Sequence, residues 1–403
     1  MSRIRILHLI TGLGLGGAET WLARLVSRLP AERFECRVVS LLPLSGEHGA
    51  LAGRIRACGV PVHSLHMARG VPGPAGMLRL LALLRQWRPQ VLQSWLYHAD
   101  LLGLLAARAS GCGAAVSWGL RSGYMDFSRY GLGTRLTVRA CAALSGWPQA
   151  ITANSRAGAE LHVRTLGYAP ERLVVLENGV DGAAFRPDAA ARARLRAEWG
   201  AGDGHVLVGL AARVDPMKGH EVFCAAARTV LDAFPQARFV LCGQGTELAA
   251  QPGRAGADLL TELLDRHGLA GAAVRLGRRD DMPAVLAALD VLALPSLGEG
   301  FPNALAEGLA CGTPVACLDV GAARAVAGPG GVVAGAAASA PGAGVTARAA
   351  ALAGCLNALL ARTGEQRRQM GAAGRAHVLA HYGLDAAVAR WAGHFEALAA
   401  GRR

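Results

Sequence analysis

The sequence predicts an α/β protein built from two doubly wound domains. Three observations carry that expectation. Strand-like apolar runs alternate with amphipathic helix-like runs along the whole chain, the pattern of parallel sheets covered by helices. The alternation halts in a polar, Gly-containing stretch and then starts again. The 403 residues, 52% hydrophobic and 18% charged, suffice for two ordinary cores and are too apolar for a disordered chain.

The elements follow in order. Residues 3–10 (RIRILHLI) read as the first strand and 19–29 as the first helix. A second strand spans 34–42, and a helix spans 77–87. The strand 89–95 (PQVLQSW) leads into a helix over 98–110. Strands at 114–120 and 149–155 follow, and 172–181 closes this half. Residues 185–204 read as the inter-domain connection. The second half opens with a strand at 205–213 and a helix at 219–234. Further strands lie at 237–245, 272–279, 291–296 and 314–320. The charge-free run 325–347 holds Pro329 and Pro341 and reads as loop and small-residue packing, not a membrane span. In 382–398, Val388, Trp391 and Phe395 recur at helical spacing and should bury against protein. The expected division is 1–182, 183–381, and a C-terminal helix 382–403.

Charge narrows the partners. A net charge of +13 and a pI near 10.1 call for an anionic one. The basic residues are spread out, with no basic block and no nucleic-acid module, so nucleic acid is not expected. A membrane surface or an anionic small molecule is. The nine cysteines are odd in number and form no CxxC pair, as reduced cytoplasmic thiols would. The first 17 residues mix arginine with apolar residues, unlike a secretory leader. Of the 42 basic residues, Lys218 is the one lysine. Lysine and asparagine are rare throughout, so each invites a functional question.

Three motifs carry chemistry. Gly12-x-Gly14-x-x-Gly17 matches the dinucleotide fingerprint, but that fingerprint also needs an acid at the end of the second strand. That strand ends in Ser40 and leucines, and Glu35 stands at its start, which argues against a nicotinamide or flavin enzyme. What remains is a glycine turn, Gly16 and Gly17, feeding a helix N-terminus that suits an anion. Arg213 follows a strand, and Lys218 comes five residues later at a helix start, two cations placed for a diphosphate. In 296–315 (SLGEGFPNALAEGLACGTPV), Glu299 lies on the loop before a helix and Glu307 in its second turn, with Pro302 as the first helical residue. Two carboxylates flanking a phosphate-binding helix start can accept sugar hydroxyls on either side. No HxE, HExxH or paired-Asp signature calls for a metal.

Glu299-x7-Glu307 within EGFPNALAE, ARVDPMKG (212–219) and NGVD (178–181) resemble the GT4 family of retaining glycosyltransferases. GLGGAE, QSWLYHADLLGLLAAR (93–108), SWGLRSG (117–123), LGRRDDMP (276–283) and CLDVGAA (317–323) extend the resemblance over most of the chain. It implies the GT-B fold, two Rossmann-like domains facing across a cleft, and a nucleotide-sugar donor. Arg213 and Lys218 would hold the donor diphosphate, with Gly16 and Gly17 approaching it from the first domain. Glu307 would hold the ribose. Glu299 and Gly300, with backbone amides around Phe301, Pro302 and Asn303, would hold the sugar. Arg278 would border the base. The family's usual histidines are replaced by Gln93 and Trp95, which leaves His98 as the catalytic-site histidine. Trp95, Tyr97, Arg121, Tyr124 and Asp126 would line the acceptor side. No metal or other cofactor is implied. The expected partners are a nucleotide-sugar, a lipid-linked saccharide and an anionic membrane surface, at the inner face of the cytoplasmic membrane. A GT-B-like nucleotide-sugar epimerase and a non-catalytic nucleotide-sugar-binding protein stay open as alternatives.

Overall fold

The computed structural model describes residues 3–68, 73–125, 127, 130–248, 255–340 and 342–401. The chain forms two compact units: Met1–Gly179 with Asp385–Arg403, and Val180–Leu384.

Unit 1 is a seven-stranded sheet: β1 (Ile4–Ile10), β2 (Phe34–Ser40), β3 (Val62–Ser64), β4 (Val91–Trp95), β5 (Ala115–Leu120), β6 (Ala150–Ala153) and β7 (Leu173–Val175). Their order is β3-β2-β1-β4-β5-β6-β7, and every pair is parallel. Strands covered on both faces are buried throughout, and β4, β5 and β6 are so along their whole length, with Gln93, Ser94, Ser117 and Thr152 as the polar residues among them. In register, His8 of β1 stands between Val38 and Gln93.

Unit 2 is a six-stranded parallel sheet: β8 (Val206–Ala211), β9 (Ala237–Cys242), β10 (Ala273–Gly277), β11 (Val291–Leu294), β12 (Val315–Cys317) and β13 (Gly331–Val333). Its order is β10-β9-β8-β11-β12-β13. Both units are therefore doubly wound, the fold class that the alternation predicts. The strand order reverses between β1 and β4 in unit 1 and between β8 and β11 in unit 2, and ligands of such sheets bind beyond the strands' carboxyl ends at that point.

Three readings need correction. Residues 185–204 are not a bare connection, because Ala189–Glu198 is a helix whose Leu195 is fully buried. Asp188 caps it by accepting from the Ala191 amide, and Arg192 and Arg196 bind Asp290 at 2.6 and 2.9 Å. The run 325–347 supplies the edge strand β13 as well as loops and short helical turns. Pro302 is the cap before the helix Asn303–Ala310, not its first residue.

The last helix, Leu384–Ala400, packs on unit 1. Trp391 and Phe395 have no exposed surface and Val388 is 7% exposed. Trp391 stacks on Trp95 with ring centroids 5.2 Å apart, and His394 lies 3.3 Å from the Ser117 hydroxyl. The first and last residues of unit 2 are tied together: the Val180 amide donates to Tyr382 and the Leu384 amide to Val180. Among the described residues no helix is long and apolar enough to cross a membrane.

Candidate functional site

In unit 2 the loops after β8 and β11 meet at the reversal point. The β8 loop ends in a short turn, Pro216–Lys218, capped by Asp215, whose carboxylate accepts the Met217 amide at 2.8 Å. Gly219 follows at φ +69°, and a Cβ there would lie 2.2 Å from the Pro295 carbonyl oxygen. Only glycine allows that backbone angle and that approach together. The Leu297 amide donates to the Met217 carbonyl at 2.9 Å, so the two loops are joined backbone to backbone.

This contact brings Lys218 to Glu299. The ammonium donates to Glu299 Oε1 at 2.7 Å, with side chains 30% and 11% exposed. Residues 81 apart in sequence thus form a half-buried ion pair at the point where such sheets bind ligands. On its other side the Glu299 loop rests on the loop after β12. Gly321, at φ +57°, lies against the Glu299 carbonyl, and the Ala322 amide donates to Gly300 at 3.0 Å.

Arg213 is 56% exposed and is held by Asp215 at 3.2 Å. Burial alone would raise the Asp215 carboxyl, but the Met217 amide, Arg213 and Lys218 outweigh it and hold it below its usual range. Sequence reasoning missed Asp215, although an Asp before Pro at a helical turn is a readable cap signal. Glu307 is half-buried on the helix Asn303–Ala310. Gly300, Phe301 and Pro302 are buried, and the Phe301 ring meets Tyr382 edge-on at 5.3 Å. Of the amides expected around 301–303, that of Pro302 does not exist, because proline has no N–H. Arg278 stands on the loop after the edge strand β10, 55% exposed and beside Asp280 at 3.5 Å. It lies two strands away from the reversal point.

In unit 1 the loops after β1 and β4 occupy the equivalent place. Gly16 caps the helix Gly17–Arg28, and a Cβ on it would lie 2.3 Å from Glu19 Oε2. The protein's own carboxylate thus lies beside the glycine that caps the helix. After β4, Leu96 adopts φ +75° and ψ 149°, a region costly for a branched side chain. Its amide donates to Gly119 and its carbonyl accepts from Asp100. The helix Tyr97–Ser110 starts there, with His98 half-buried in its first turn. Burial holds the His98 imidazole below its usual range, hence neutral and able to accept a proton.

The residues expected on the acceptor side divide. Trp95 is wholly buried under Trp391 and offers no surface, a correction to its expected role. The Arg121 guanidinium sits over Trp95 at 4.5 Å and Trp391 at 5.2 Å, and burial pushes its pKa down to about 9. It reaches Thr152 Oγ1 at 3.4 Å, while its Nε and Nη1 are buried without partners among the described residues. The Tyr97 hydroxyl lies 2.7 Å from His162 Nε2. Because His162 Nδ1 faces the Gly158 carbonyl at 2.6 Å and must donate to it, Tyr97 is the donor. Tyr124 is half-buried, and Asp126 lies outside the described residues.

Both halves of the chain match known families. Residues 15–183 match the model described as Glycosyltransferase Family 4, and residues 205–361 the one described as Glycosyl transferases group 1. Among curated proteins, a D-inositol 3-phosphate glycosyltransferase of Segniliparus rotundus is 32% identical over 163 residues, 38% of this chain and 33% of that protein. One of Salinispora arenicola is 33% identical over 165 residues, 38% of this chain and 35% of that protein. The matches thus span about a third of those relatives' length. Among solved structures, Anabaena HepE in complex with UDP-glucose superposes with a TM-score of 0.79 at 19% identity, over 98% of this chain and 100% of that one. A sucrose-phosphate synthase of Thermosynechococcus elongatus gives 0.79 at 18% identity, over 99% and 100%. At such identities the likeness is one of fold, that of the GT-B glycosyltransferases.

Proposed function

Because the chain belongs to glycosyltransferase family 4, we propose that it moves a sugar, with retention, from a nucleotide-sugar to a hydroxyl of a lipid-linked saccharide in cell-surface polysaccharide synthesis. The observation that carries the donor half is the Lys218–Glu299 pair beside Arg213 at the reversal point of the second sheet. A diphosphate draws Lys218 and Arg213 to its oxygens, and Glu299 is then free to accept from sugar hydroxyls. Glu307 binds the ribose. In unit 1, Gly16 and Gly17 offer backbone to an anion, and His98 takes the acceptor's side. As the bond from the anomeric carbon to the diphosphate breaks, the acceptor oxygen attacks from the same face and its proton passes to the departing phosphate oxygen. The two cations neutralise the charge that grows on the diphosphate, so the reaction needs no metal. The reading sets the protein at the inner face of the cytoplasmic membrane.

A second acceptor class, a phosphorylated polyol, is favoured by one observation. The Nε and Nη1 donors of Arg121, without partners among the described residues, would suit an anionic group.

Purified protein is tested against a panel of nucleotide-sugars with lipid-linked and phosphorylated-polyol acceptors, scoring product and released nucleotide. Lys218→Ala should lower kcat/KM about 100-fold or more at a temperature where the variant is fully folded, and chelators should leave turnover as it was. Near wild-type turnover in Lys218→Ala would overturn the diphosphate clamp. A changed sugar-nucleotide without acceptor would reveal an epimerase, and donor binding without any turnover a binding protein. Calorimetry divides the carboxylates: Glu307→Gln should weaken free nucleoside diphosphate, whereas Glu299→Gln should weaken only the sugar-nucleotide.

A further inference from the structure

We propose that the outer face of the helix Leu132–Ala143 in unit 1 docks on an anionic lipid bilayer. The inference deepens the reading of a lipid-linked acceptor and rests on it.

A surface helix ordinarily buries one apolar stripe and shows water a polar one. This helix shows water leucines as well. Val138 and Cys141 are fully buried, while Leu132 is 72% and Leu136 54% exposed. The exposed positions Leu132, Leu136, Arg139 and Ala143 recur four and three residues apart, so they form one stripe along the helix. Past the helix end stands Trp147, 49% exposed, with the Arg108 guanidinium over its ring at 4.3 Å. Leu105, one turn before Arg108, is 43% exposed. Large apolar side chains left in water at this density mark a surface that is covered in use.

The charge on this face selects the occupant. The sequence has no Asp or Glu from residue 127 to residue 159, and the exposed charges beside the leucines are those of Arg139 and Arg108. Leucines that enter the acyl boundary, with tryptophan and arginine at headgroup level, are the composition of an interfacial helix. A second copy of a chain with net charge +13 would set like charge on like charge. Beside the stripe lies a cavity of about 350 Å³ lined by Phe127, Val138, Arg139, Ala142, Thr165 and Leu166, a recess of mixed character with one cation at its side. The helix packs on Tyr97–Ser110, which carries His98 in its first turn, so docking holds the His98-bearing layer at the lipid surface.

The test uses the full chain, without any sugar donor, sedimented with vesicles of phosphatidylcholine alone or mixed with phosphatidylglycerol. Wild type should bind the anionic vesicles, bind them more weakly as salt rises, and bind neutral ones little. The pair Leu132→Asp and Leu136→Asp should lower partition about tenfold or more, and Arg139→Glu alone about tenfold, with circular dichroism and melting midpoint unchanged. Wild type that ignores anionic vesicles, or variants that bind as it does, would refute the docking face. So would a dimer that the leucine variants disperse while vesicle binding persists. The variants should keep wild-type turnover with a water-soluble acceptor. A protein that binds vesicles through these residues yet transfers no sugar would sink the glycosyltransferase reading and leave the docking face standing.

Discussion

Asp100 is a carboxyl group set where burial works against its charge. It has no exposed surface, and burial pushes its pKa up to about 7 although the Ser94 hydroxyl at 2.6 Å and the Gly119 amide at 3.1 Å both donate to it. Between pH 4 and 7 the unfolded chain has already released this proton and the folded chain still holds it. Stability from this residue therefore falls as pH rises through that window, and the loss is complete above it. Buried histidines oppose it. Burial pushes His8 down to about 3 and His220 and His394 to about 4, so their contribution is lost as pH falls below 6.5. The melting midpoint should drop from pH 6.5 to about 4.5, and Asp100→Asn should steepen that drop. The variant's gain over wild type should be larger by roughly 1–3 kcal/mol at about pH 7.5 than at about 4.5. Equal gains at both pH values would show that Asp100 does not titrate in this window. The single lysine was legible in the sequence as a residue worth asking about. Its pairing with Glu299 was not, because sheet order sets the two loops side by side and local sequence does not encode that order.

At the scale of elements, the Glu299 loop is held between two others, and glycine makes both contacts possible. Gly219→Ala would force a Cβ into the Pro295 carbonyl and an L-residue into φ +69°. It should cost about 2 kcal/mol or more and lower kcat/KM beyond what stability explains, because Lys218 and Glu299 would no longer meet. Denaturant titration with kinetics at a temperature where the variant is folded checks this, and a variant with wild-type kinetics would mean the loops are positioned by other contacts. The long strands were legible because both-face burial makes them mainly apolar, as in β8, and in β1 and β4 despite Arg5, His8, Gln93 and Ser94. The strands β3 and β13 were not, since three residues carry no period and each lies at a sheet edge. Ala189–Glu198 was hidden for another reason: it buries only Ala191 and Leu195, so its apolar stripe is faint among arginines.

The whole molecule is completed by its last helix. Leu384–Ala400 brings Trp391 and Phe395 into unit 1, against Trp95, His8 and Phe34. Each such side chain stabilises by about 1.5–3 kcal/mol, so their sum reaches a large share of a domain's total stability. A chain ending at residue 384 should therefore lose the folded state of unit 1, whereas 180–384 made alone should keep its own core and melt cooperatively. Joining 385–403 to 1–179 through a flexible linker should restore unit 1. Soluble, cooperatively melting 1–179 on its own would show the helix to be an appendage. The same feature sets an order on synthesis. The ribosome finishes the first sheet long before it makes the helix that covers it. At roughly 5–20 residues per second, the nascent first unit waits roughly 10–45 s with the bed of Trp391 and Phe395 open to water. The second unit, contiguous in the chain, closes in the meantime. The newborn protein's exposed surface is then that apolar bed, the place where a chaperone would bind and where stalled or truncated chains would aggregate.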